Sequence, residues 1–206
     1  MVRLYTKQHV NSLQELEKRG EVTNKELYVR LHMGLDADYF SDRYRTFVKL
    51  ADRVLKKPAG VEYPIWCAIS KDTTRMPFNK EVVYCLNVPE EEIIYFNAME
   101  WDLVLNYLYV PLDDEDEARF RQEVKKLGVT DAYNFIHGKY AGFYPEIEAE
   151  IRNSWQRIFD VDPKQLNRFR HSGNLWHIKK EWVEHIIYPG DDFAKITAGE
   201  PDMFGL

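Results

Sequence analysis

Between Pro163 and Lys180 the chain has no acidic residue, yet carries Lys164, Arg168, Arg170, Lys179 and Lys180, with His171 and His177 added. Phe169, Trp176 and His177 interleave rings with these charges. This combination suits an anionic ligand, because cations hold phosphate oxygens while rings stack on bases. It makes Arg168, Arg170, His171 and Lys179 candidate phosphate-binding residues, for a phosphate, a pyrophosphate or a nucleic-acid backbone. The competing reading is a solvated basic loop beside a core strand. The whole chain is acidic, with 28 basic and 34 acidic residues and a net charge of −6. A role resting on overall positive charge is therefore excluded, and anion binding is focused on this one segment.

Other residues offer less. Trp66 and Ser70 lie four apart in PIWCAIS, a spacing that puts both on one face of an extended strand. Asn106 is polar inside an apolar helical stretch and would bond a ligand or cap a neighbouring loop. The six histidines, at 9, 32, 137, 171, 177 and 185, have no ligand spacing, so no metal site is expected. The DDEDE run from Asp113 to Glu117 reads as the acidic start of a helix rather than a cation site. Cys67 and Cys85, in apolar strand-like runs, read as buried reduced thiols. Nucleophile-elbow, phosphate-loop, dinucleotide-binding and zincin signatures are all absent.

These residues must be positioned by ordinary globular elements. The chain of 206 residues is long enough to bury a core without disulfides. Aromatic residues make up 14% of it, an excess that serves a core, a stacking surface or both. VRLYT reads as a strand, followed by a helix with an S-x-x-E capping box at Ser12 and Glu15 and a stop at Gly20. A longer helix is expected from about Tyr39 to Lys57, with Phe40, Tyr44, Phe47, Leu50, Val54 and Leu55 on its apolar face. PIWCAIS, EVVYCLNV and EIIYF read as strands. Asn97 with Glu100 reads as the cap of the next helix. Phe120 and Val124 mark the buried stripe of the DDEDE helix. A helix is expected from Pro145 to Phe159, with Ile147, Ile151, Trp155 and Ile158 facing inward. NLWHIKKEWVEHIIY reads as a strand or strand pair, and the tail from residue 190 as irregular. The expected architecture is a single α+β domain over residues 1–206, with a small, mostly antiparallel sheet and five to six flanking helices. No run approaches the length of a membrane span and no signal segment opens the chain, so the cytosol is the expected location.

LYTKQ, YPIWCAIS, VPEEEIIYFNAMEWDLVLNYLYVP, SWQRIFDVD and LWHIKKEWV, in this order over residues 3 to 183, resemble a bacterial family known only as a domain of unknown function. A more distant resemblance is to ADP-ribosyltransferase-like proteins. It rests on RLYTKQHVNSLQELEKRGEV as strand, helix and turn, on Trp66 and Ser70 in PIWCAIS, and on VVYCLNVPEEEIIYF as a strand pair. That resemblance implies NAD as cofactor, cleavage of its nicotinamide–ribose bond, and a protein or nucleic-acid target. It implies a nicotinamide pocket lined by Thr6, Gln8, Trp66 and Ser70. The late-strand glutamate of such enzymes has no counterpart, since Ser172 or Asn174 stands in that region. Glu100 and Glu181 are the nearest carboxylates. The alternative on the same fold is a non-catalytic domain binding a nucleotide, RNA or a protein.

Overall fold

A computed structural model describes residues 1–199 and Phe204. In chain order the elements are β1 (Val2–His9), α1 (Ser12–Arg19), β2 (Glu21–Thr23), α2 (Glu26–Met33), α3 (Ala37–Val54), β3 (Ile65–Cys67), β4 (Glu81–Val88) and β5 (Ile94–Asn97). Then follow α4 (Ala98–Leu105), α5 (Asp114–Lys126), α6 (Tyr133–Ile136), α7 (Pro145–Ser154), β6 (His171–Leu175), β7 (His177–Lys179), β8 (Val183–Ile187) and α8 (Phe193–Ile196). The architecture is α+β, and its strands form three small antiparallel sheets, ordered β1-β4-β8, β2-β7 and β3-β6-β5. Two compact units result: residues 1–96 with 163–206, and residues 97–162.

In the first unit β4 is the central strand of its sheet. Its run of Val82, Val83, Tyr84, Cys85 and Leu86 is buried on both faces, which explains why it reads as continuously apolar rather than alternating. Tyr5, Val83, Cys85 and Ile187 form the core on one face, with Phe193 of α8 packed against it. A reciprocal pair of backbone hydrogen bonds between Tyr5 and Ala68, 2.9 and 2.8 Å, ties β1 to the segment just after β3. On the β3-β6 pair, Trp66 stands directly across from Asn174 and Cys67 across from Gly173. A Cβ on Gly173 would lie 2.9 Å from Ile93 Cγ2, 3.3 Å from Ile69 Cγ2 and 3.4 Å from Leu4 Cδ2, so no side chain fits on that face without the neighbours giving way.

Local signals place several ends where the sequence puts them. Gly20 closes α1 at φ +73°, its N–H donating to the Leu16 carbonyl. The capping box is a correction: Asn11, not Ser12, precedes α1, and no side chain caps it. The Ser12 hydroxyl bonds the His9 carbonyl at 2.7 Å and meets the Tyr84 hydroxyl at 2.8 Å instead. α3 starts two residues before the expected Tyr39 and ends at Val54, which is 47% exposed, so the buried stripe is Arg43, Phe47, Leu50 and Ala51 rather than one running to Leu55. The expected final strand divides into β6, β7 and β8, with Trp182 in the helical turn between the last two. Within the tail expected to be irregular, Phe193–Ile196 is helical; residues 200–203, 205 and 206 lie outside the described residues.

The second unit is helical. Asn97 caps α4, its Oδ1 accepting from the Met99 and Glu100 amides at 3.1 and 3.3 Å. Asp113 caps α5 by accepting from the Asp116 amide at 2.8 Å. Ile147, Ile151, Trp155 and Ile158 are buried along α7 and the 3₁₀ turn that continues it, Trp155–Phe159.

Candidate functional site

β1 and β3 bring together three of the expected ligand residues. The Thr6 hydroxyl donates to the Trp66 carbonyl at 2.8 Å, and Gln8 Nε2 donates to the Thr6 oxygen at 2.8 Å. Thr6 is buried and its only hydrogen is used on the Trp66 backbone, so it fastens β1 to β3. The adjacent Cys67 thiol is pushed up to about 12 by burial and stays protonated at neutral pH. Ser70 does not share a strand face with Trp66, because β3 ends at Cys67. It is buried, and its hydroxyl accepts the Asp72 amide at 3.2 Å to open a helical turn over Lys71–Thr73.

That turn meets the basic segment. Asp72 pairs with Arg168 at 2.5 Å, so the chain after β3 and the chain before β6 run side by side. Arg168 also lies over the Phe169 ring, 5.2 Å from its centroid. Arg170 is exposed and has no ion pair among the described residues. His171 accepts the Asn167 amide on Nδ1 at 2.9 Å, and burial together with the Arg170 charge holds its pKa below the ordinary value, so it acts as a neutral ring. Lys179 belongs to a different sheet. It pairs with Glu92 at 3.0 Å and lies 4.7 Å from the Trp182 ring centroid, which commits its charge within the fold.

The structure adds partners that sequence reasoning missed. Residues 71–80 carry Lys71, Arg75 and Lys80, none ion-paired among the described residues, and Phe78, which is 80% exposed. With Lys164, Arg168, Arg170 and the 68% exposed Phe169, the two segments hold six cations against the single carboxylate of Asp72. KDTTRMPFNK carries a visible charge signal, but its relation to residues 163–171 is non-local and is seen in the Asp72–Arg168 pair.

A second feature lies on the face of β3 and β6 turned toward α3. Trp66 packs against Phe47 and Phe96 at centroid distances of 4.8 and 5.3 Å, and Tyr44 lies 5.6 Å from it. Trp176, two residues after Asn174, donates to the Leu55 carbonyl at 2.9 Å just beyond α3. Directly opposing residues of an antiparallel pair project to the same side, so Asn174 enters this aromatic layer beside Trp66. Its exposure is 0%, and neither Oδ1 nor Nδ2 has a hydrogen-bond partner. Orphaning such a group costs about 1–3 kcal/mol.

The two candidate carboxylates are placed elsewhere. Glu100 lies in the second unit, where its Oε1 accepts from Asn97 Nδ2 at 2.6 Å and completes the start of α4. Glu181 is exposed on the turn Lys180–Trp182, with no hydrogen bond or ion pair among the described residues. Asn106 ends α4 and donates to the Asp102 carbonyl at 2.7 Å, a cap of its own helix. In the same unit Asp116 of the acidic run accepts from the Tyr109 hydroxyl (2.6 Å), the Leu112 amide (2.9 Å), Arg119 (2.9 Å) and Arg157 (2.7 Å). The Tyr109 hydroxyl foremost, then the Leu112 amide and the two guanidinium groups, hold its carboxyl well below the usual carboxylate range. Among the described residues no cluster of three metal-ligating side chains occurs, and no helix is long and apolar enough to cross a membrane.

Comparison with curated proteins and with solved structures gave no match. A family model does match, over residues 3–184, and the chain therefore belongs to the family described as a domain of unknown function, DUF3841.

Proposed function

We propose that this chain is a non-catalytic binding domain for single-stranded nucleic acid. The observation that supports this reading is that two basic, aromatic segments, residues 71–80 and 163–171, meet through the Asp72–Arg168 pair. Among the described residues Lys71, Arg75, Lys80 and Arg170 have no carboxylate partner, and Phe78 and Phe169 of the same segments are exposed. Cations spaced along two adjoining segments hold successive phosphates, and exposed rings stack on unpaired bases. Duplex DNA, whose bases are already stacked, would use the cations alone.

The test is a fluorescence-anisotropy titration of labelled single-stranded RNA, single-stranded DNA and duplex at fixed salt. Single strands are expected to bind more tightly than duplex. Arg75→Ala, Arg170→Ala and Phe169→Ala should each weaken binding several-fold, since none of these side chains holds another element in place. Equal binding by all four proteins, or none by the native chain, overturns the reading.

ADP-ribosyl transfer from NAD is the second reading, favoured by the hydrogen-bonded group of Thr6, Gln8 and Trp66. Breaking the nicotinamide–ribose bond develops positive charge on the ribose, which a carboxylate beside that group must stabilise. Glu100 is engaged at the start of α4 and Glu181 stands on an exposed turn. Nicotinamide release from NAD, abolished in a Trp66→Ala, Ser70→Ala variant, would establish this second reading; no release above that control removes it.

A further inference from the structure

We infer that Asn174 and Trp66 form a recognition site for a nucleobase edge in the layer beneath α3, with adenine as the best-matched base. Asn174 is wholly buried, and neither polar atom of its carboxamide is hydrogen-bonded. The fold makes no use of that amide. An apolar residue would avoid the unsatisfied donor and acceptor, so a polar residue is kept here at the expense of stability, as binding groups commonly are.

What the carboxamide offers is a donor and an acceptor side by side. Adenine presents the complementary pair, its N7 acceptor next to its N6 amino donor, and a bidentate Asn–adenine pair satisfies both atoms at once. The surroundings suit a flat ring. Trp66, opposite Asn174, and Tyr44, which leans on Trp66, are only partly buried, whereas Phe47 and Phe96 behind them are fully enclosed. The carboxamide is itself 0% exposed, so a base reaches it only when the partly exposed rings of Trp66 and Tyr44 turn aside. The opposite face of β6 is closed to a ligand, because Gly173 there is already crowded by Ile93, Ile69 and Leu4.

This site is independent of the basic face, so a nucleoside without phosphate tests it alone. Native protein would be titrated with adenosine and with purine riboside, which lacks the amino group, by calorimetry and by following the Asn174 side-chain amide in ¹H–¹⁵N spectra. Adenosine should bind more tightly than purine riboside and shift the Asn174 amide resonances. Asn174→Leu should weaken adenosine binding by about tenfold or more. Asn174→Ala, smaller and without either polar atom, should show the same loss and serves if the leucine variant fails to fold. Adenosine that does not bind at millimolar concentration, or binds the Asn174 variants as well as the native chain, overturns the inference.

Discussion

Asp116 shows how much one residue's chemistry depends on partners distant in the chain. In the sequence it is one of five acidic residues opening a helix. In the structure it is the hub where Tyr109, Leu112, Arg119 and Arg157 meet, with Arg119 reaching on to Glu150 at 2.5 Å. Its carboxyl titrates below the unfolded value of about 3.9. The stability it contributes is therefore fully present above that pH and is lost as pH falls toward the folded value. Asp116→Asn is expected to cost about 2 kcal/mol at neutral pH. It should also flatten the acid limb of a stability–pH curve measured by urea denaturation below about pH 4. An acid limb as steep as that of the native protein would contradict the assignment. Asn174 carries the same lesson in reverse: a polar letter in an apolar run is visible in the sequence, but its lack of partners is not.

Elements were legible where their signals are local. The Asn97 cap, the acidic start of α5, the proline opening α7 and the Gly20 stop each depend on residues within four positions, and each appears in the structure. Ser12 misled because its hydroxyl is taken by His9 and by Tyr84, 72 residues away. The division of the strands into three sheets, and the meeting of the turn after β3 with the segment before β6, are non-local and leave no pattern in either segment alone. The cap supplies a prediction at this scale. Asn97→Ala removes the acceptor for two amides of α4 and should cost about 1 kcal/mol, a fall in melting temperature of about 3 °C in a thermal scan. Asn97→Ser retains an acceptor for these amides without a charge beside Glu100 and should recover most of it; an alanine variant that melts with the native protein would show that α4 does not rely on this cap.

Across the whole molecule the net charge of −6 and a basic face of six cations oppose one another. A polyanion is repelled by the chain at long range and held only at contact, so salt affects the two contributions in opposite directions. If four phosphates are engaged by Lys71, Arg75, Lys80 and Arg170, a plot of log affinity against log salt for single strands should have a slope of about −3. Arg75→Ala should reduce that slope by about 0.7, whereas Phe169→Ala should lower affinity without changing it. A slope near zero would remove phosphate contacts from the account. Gly173 also has a consequence for how the chain threads. A shift of β6 by one residue against β3 would exchange its two faces and drive the side chain of Ser172 or Asn174 into the space between Leu4, Ile69 and Ile93, which is too narrow for a Cβ. The missing side chain at one position thus acts as a ratchet for its neighbour: the strand has a single register in which it fits, and in that register the carboxamide of Asn174 is held under α3 with no backbone route out of it.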